Sequence, residues 1–130
     1  MRISGYSWVG VRTEDFEATI TFLADILGLP LTWRAADSEI AHFRLPSGQL
    51  FEVFGPNDSG IQTTTCPVVG FEVADVWAAR RELEPLGVQF VTEVFATNDD
   101  GASWTYLRGP DGQLYELQRP VKAYRMEEQE

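Results

Sequence analysis

Glu52 and Glu116 stand at matching places in two near-copies, Gly48-Gln49-Leu50-Phe51-Glu52-Val53 and Gly112-Gln113-Leu114-Tyr115-Glu116-Leu117, sixty-four residues apart. Two carboxylates brought into one site raise each other's proton affinity, which is a route to general acid or base catalysis. With waters they would also offer a hard cation such as Mg²⁺ or Mn²⁺ a two-carboxylate site. The structural alternative is that each is satisfied by a neighbouring arginine or a backbone donor. His42 is the sole histidine. Imidazole is the side chain whose unperturbed titration falls near neutrality, so His42 is the natural candidate for moving a proton; otherwise it is structural or faces solvent. Arg44 and Arg108 occupy related places in the two copies, where each would hold a substrate carboxylate or neutralise Glu52 or Glu116.

Aromatic side chains bear on the type of ligand. Trp8, Trp33, Phe54, Trp104, Tyr106 and Tyr115 all fall in strand-like segments. Facing inward they would line a site with flat apolar walls suited to a planar ligand; otherwise they are core. Acidic groups beside aromatic faces favour a cationic aromatic guest.

These residues must be positioned by a repeated unit. The echo extends upstream, where Val11 to Asp15 (VRTED) matches Phe71 to Asp75 (FEVAD) and Leu27-Gly28-Leu29 matches Leu86-Gly87-Val88. Tyr6 to Val11 reads as a strand. Asp15 then caps a helix with Phe16, Ile20, Leu23 and Leu27 on one stripe, and Gly28 closes it. Strands are expected over Leu31 to Ala35, Ile40 to Leu45 and Leu50 to Phe54, the last two joined by the turn Pro46-Ser47-Gly48. The second copy reads as a strand Val68 to Val73, a helix from Asp75 carrying Val76, Ala79, Leu83 and Leu86, then strands Val88 to Phe95, Ser103 to Arg108 and Leu114 to Gln118. Pro85 is expected to end that helix early. Each copy is too small for a good core alone, so the expectation is an α+β fold: two β-α-β-β-β modules in one pseudo-symmetric domain with a shared cleft. The domain spans residues 1–120, with module 1 at 3–55, a polar linker at 56–66 and module 2 at 67–120. The charged tail 121–130 has too few apolar residues to pack and is expected to fray or lie on the surface. The acidic loop Ala96 to Ser103 would act as a lid, without the ligand spacing of an EF-hand.

Composition narrows the partners. The chain has 130 residues, 44% of them hydrophobic, and a formal charge of −10. That charge repels phosphate backbones and anionic bilayers, which argues against nucleic acid and membrane partners and for a neutral or cationic small molecule. The one cysteine, Cys66, excludes an internal disulfide and has no basic cluster to activate it. No apolar run reaches membrane-spanning length and MRISGYSW lacks the apolar stretch of a secretory signal, so a cytoplasmic protein is expected.

Paired β-α-β-β-β units, each opening with a strand, Asp and helix and closing with a Pro-x-Gly-x-x-x-Glu hairpin, resemble the vicinal oxygen chelate superfamily, also called the glyoxalase/bleomycin-resistance/dioxygenase fold. The resemblance covers roughly residues 3 to 120 and is most specific from Tyr106 to Leu117. It implies two half-cups forming a cleft, with metal ligands from the first and last strand of each module. Those four places here are Trp8, Glu52, Val68 and Glu116. Indole offers only an N–H and valine no donor, so the resemblance implies a metal-free member, with Trp8 and Val68 lining the cleft and no cofactor. The alternative is a divalent metal such as Mg, Mn, Fe or Zn held weakly by Glu52 and Glu116. The functional expectation is a homodimeric protein that binds or sequesters a small aromatic or cationic molecule, as in antibiotic resistance. The alternative is a lyase, isomerase or dioxygenase using Glu52, Glu116 or His42, with metal or as general acid and base.

Overall fold

The computed structural model describes residues 1–56, 67–97, 101–110 and 112–126. The chain forms two compact units, Trp8–Pro67 and a second made of Met1–Ser7 with Val68–Glu130.

In the first unit, the Trp8–Arg12 part of strand β1 (Ile3–Arg12) runs parallel to β4 (Leu50–Phe54), with Gly10 opposite Glu52 and Arg12 opposite Phe54. β4 is antiparallel to β3 (Ile40–Arg44), which places His42 opposite Glu52. β3 is antiparallel to β2 (Leu31–Arg34), with Trp33 opposite His42 and an irregularity between Leu31 and Trp33. Side chains alternate across a strand, so this register sorts the sheet into two faces. Ala41, Phe43 and Val53 pack against Phe16, Ile20 and Leu23 of the helical segment to make the core. Trp8, Gly10, His42 and Glu52 fall on the other face.

Helix α1 (Phe16–Thr21) starts at Asp15, whose side chain accepts from the Ala18 amide at 3.1 Å. It continues as a π-helical turn, Phe22–Ile26, and Gly28 follows at φ 76°. The wider turn corrects one expectation. Leu27 was placed on the buried stripe, yet it is 56% exposed, because the residue inserted by i→i+5 bonding rotates later positions away from the core.

The second unit repeats this arrangement. Strand β5 (Val68–Val73) is parallel to β9 (Leu114–Arg119), with Gly70 opposite Glu116. β9 is antiparallel to β8 (Ser103–Arg108), with Tyr106 opposite Glu116 and Trp104 opposite Gln118. Helix α2 (Val76–Leu83) is capped by Asp75 onto the Ala78 amide at 3.0 Å. Its apolar side, with Val76 and Ala79, packs on Val73 and Leu117. Pro85 lies in a 3₁₀ turn, Glu84–Leu86, that ends the helix, and Gly87 follows at φ 88°. The tightened turn leaves Leu86 exposed instead of on the expected stripe.

Two further expectations are corrected here. The strand read over Val88 to Phe95 is two short pieces, β6 (Gln89–Phe90) and β7 (Phe95–Ala96), each on β8. Between them the Thr92 hydroxyl accepts from the Tyr106 amide at 3.1 Å and the Thr92 carbonyl accepts from Arg80 at 2.7 Å, so side chains replace ladder bonds. The tail lies on the surface over Lys122–Tyr124, as one of the two expected outcomes, but is anchored beyond them at Arg125 and Met126. After a 3₁₀ turn, Lys122–Tyr124, Arg125 is buried and donates to the Pro120 carbonyl at 2.9 Å and the Gly101 carbonyl at 3.0 Å. A planar guanidinium can satisfy several carbonyls at once, so one arginine holds a segment that apolar count alone would leave loose.

Candidate functional site

On the face of the first unit turned away from its helix, four side chains form a continuous line. The Trp8 indole N–H donates to Glu52 Oε1 at 2.7 Å, and His42 Nε2 lies 2.9 Å from Glu52 Oε2. A carboxylate only accepts, so Nε2 carries the proton and the lone pair of neutral imidazole is on Nδ1. The Trp33 ring lies against the other end of the line, its centroid 4.6 Å from that of His42 at a 49° tilt. Trp8 is buried, His42 and Glu52 are partly buried, and Trp33 is 49% exposed at the outer strand. Burial thus falls steadily from one end of the line to the other.

The strands explain this placement. Glu52 has Gly10 on one side and His42 on the other, and Trp8 follows Gly10 on the same face two residues earlier. A Cβ at position 10 would stand 2.2 Å from Trp8 Cζ2 and 2.3 Å from Cη2, so the indole lies over the glycine. Phe54 is buried on the same face with the Arg12 guanidinium 5.7 Å from its ring centroid. Arg44 donates to the Gly48 carbonyl at 3.0 Å and so braces the β3–β4 turn.

The matching face of the second unit carries Glu116, buried between Gly70 and Tyr106. Val68 is fully buried, Tyr106 is buried, and Trp104 packs against Phe95 at 5.8 Å. Arg108 repeats the role of Arg44, donating to the Gly112 carbonyl at 2.8 Å. Tyr115 is placed differently from the other rings: alternation puts it on the face opposite Glu116, where it stacks on Phe71 at 6.2 Å. One acid escaped the sequence reading. Glu72 is 1% exposed and its Oε2 accepts from the Met126 amide at 2.8 Å. The available signal was its spacing, two residues after the glycine that lies beside Glu116.

Of the loop expected to act as a lid, Thr97 and Ala102 are joined at 3.0 Å, while 98–100 lie outside the described residues. Cys66 and most of the linker also lie outside them.

The donors do not suit a metal ion. Both Glu52 oxygens receive ring N–H groups, Trp8 has no lone pair to give, and His42 directs its protonated nitrogen at the acid. Among the described residues, no three His, Cys, Asp or Glu side chains form a group that could hold one.

The family model for the Glyoxalase/Bleomycin resistance protein/Dioxygenase superfamily matches residues 5–117. No curated protein sequence matches the chain. Among solved structures, a superfamily member from Vibrio splendidus 12B01 is similar with a TM-score of 0.66 and 16% identity, covering 86% of this chain and 96% of that one. Methylmalonyl-CoA epimerase from Mycobacterium tuberculosis is similar with a TM-score of 0.70 and 22% identity, over 93% of this chain and 91% of that one. A Streptomyces coelicolor methylmalonyl-CoA epimerase variant in complex with 2-nitronate-propionyl-CoA gives 0.71 and 18%, over 95% and 99%. Likeness at these identities establishes the fold.

Proposed function

The chain belongs to the Glyoxalase/Bleomycin resistance protein/Dioxygenase superfamily, and from that premise we propose that it binds a small aromatic or cationic molecule, without a metal, on the acid and aromatic face of its first unit. One observation carries this reading: Glu52 is held by two ring N–H donors, and the His42 ring that gives one of them lies 4.6 Å from the exposed ring of Trp33. While His42 is neutral, nothing in that trio cancels the carboxylate charge. A planar cation stacked on Trp33 would gain a π face and feel the Glu52 charge across the His42 ring.

Titration of tryptophan fluorescence with an acridinium dye and its uncharged isostere tests this. Glu52→Gln is expected to weaken the cation about tenfold, equivalent to about 1.4 kcal/mol, and to leave the neutral isostere unchanged. Binding of the cation should also weaken as salt is raised. Absence of quenching across a panel of cationic and neutral aromatics overturns the proposal.

A second reading, an enzyme of the lyase or isomerase type, draws on the same pair. Glu52 orients His42 through Nε2 and leaves Nδ1 as the base for an acidic C–H. Some solved relatives with this fold are epimerases. Hydrogen exchange from solvent into a carboxylic thioester, lost in His42→Ala, would favour it over simple binding.

A further inference from the structure

We propose that Trp8 is a built-in replacement for a metal ion, and that Gly10 is the companion residue that makes the replacement possible. A partly buried carboxylate is satisfied by a cation, by N–H or O–H donors, or by water. Glu52 receives two N–H groups, one on each oxygen, at 2.7 and 2.9 Å. The indole presents its N–H to Oε1, while its six-membered ring covers the backbone of the strand neighbour directly beside Glu52. It can do so only because that neighbour is glycine: any side chain there would begin 2.2 Å from the ring. The two residues therefore act together, the tryptophan supplying a fixed positive dipole and the glycine supplying the room.

The exchange has a chemical consequence. A divalent ion approaching Glu52 would find one lone pair of each oxygen taken by a ring N–H, the bulky indole beside it without a donor to give, and His42 with its N–H turned towards the acid. The face is consequently kept metal-free by occupancy as well as by loss of a donor. Replacing Trp8 with histidine removes the blocking ring, frees Oε1 and adds an imidazole beside His42 and Glu52, giving two nitrogens and a carboxylate with open positions. That is a donor set suited to Zn²⁺ or Co²⁺. The inference concerns this chain's own side chains and stands whether or not an aromatic guest binds.

Two measurements decide it. Titrated with Co²⁺, the wild-type protein is expected to show no visible d–d band. Trp8→His should bind one equivalent at least tenfold more tightly than wild type and lose it again in Trp8→His/Glu52→Gln. In ¹⁵N–¹H spectra, the indole resonance assigned to Trp8 by its loss in Trp8→Phe should be shifted downfield and exchange slowly. It should move upfield and exchange at least tenfold faster in both Glu52→Ala and Gly10→Ala, with the other indoles unmoved. A wild-type Co²⁺ band that depends on Glu52, a folded Trp8→His that binds no metal, or an indole resonance indifferent to Glu52→Ala would each overturn the proposal. If Trp8→His does not fold, the indole resonance alone decides.

Discussion

At the scale of single residues, Glu52 is the hub of the candidate site, and its two partners are not equivalent. The Trp8 bond is sheltered, since the indole is 2% exposed, whereas His42 stands partly open to water with 28% of its side chain accessible. Removing His42 strips one donor from a carboxylate oxygen that solvent can reach only in part. His42→Ala is therefore expected to lower stability by about 1–3 kcal/mol, the range for a buried polar group left short of a partner, read as a lowered urea midpoint at unchanged slope. If water enters the space and replaces the imidazole, the loss will lie at the lower end of that range. The resemblance already put Trp8 and Glu52 at two of four ligand places, while His42 stood as a separate candidate. What the sequence did not show is that His42 completes the line, which depends on the register of β3 against β4 that sets it opposite Glu52.

At the scale of elements, both units rely on the same local devices. Asp15 and Asp75 each adopt extended backbone, at φ −129° and −149°, and each takes the amide three residues on. Asp15→Ala and Asp75→Ala should each cost about 1 kcal/mol, seen as a lowered thermal midpoint. The shorter helix, α1, has only six residues before its turns widen, so its loss should also show as greater amide exchange over Phe16–Thr21. Such caps, the glycine-closed turns and the alternation of the strands are local chemistry, which is why the element order could be read from the chain. Three features could not be read that way. The π turn after Thr21, the interruption at Thr92 and the exposure of Leu27 all arise where tertiary contacts or altered backbone bonding outweigh side-chain periodicity.

For the molecule as a whole, the duplication is expressed in register as well as in sequence. Gly10 faces Glu52 as Gly70 faces Glu116, His42 faces Glu52 as Tyr106 faces Glu116, and Arg44 braces its turn as Arg108 does. What differs is the cover. Glu72 and the Arg125–Met126 segment have no counterpart bond among the described residues of the first unit's line of acid and aromatic groups, and they hold the chain as far as Met126 in the second unit. Arg125→Ala removes a buried guanidinium that donates to two backbone carbonyls. It is expected to cost about 2–3 kcal/mol, with Arg125→Lys failing to restore stability because an ammonium cannot span both acceptors. Equal urea midpoints for wild type and Arg125→Ala would remove the tail from the account of stability. Its partners are main-chain oxygens, which composition does not reveal.

The opening seven residues do not belong with the copy they precede: Met1–Ser7 is counted with Val68–Glu130, while Trp8 begins the other unit. Within that later half, the terminal ammonium meets Glu82 at 3.0 Å, Tyr6 lies 5.7 Å from Phe71, and Gly5 backs onto the Met126 thioether. A gene cut between the repeats would therefore not yield two self-sufficient halves. Residues 67–130 expressed alone should be largely unstructured by circular dichroism and gain order when a synthetic peptide of residues 1–12 is supplied in trans. The later copy thus borrows its opening segment from the far end of the chain, and cannot be lifted out by cutting at the linker alone.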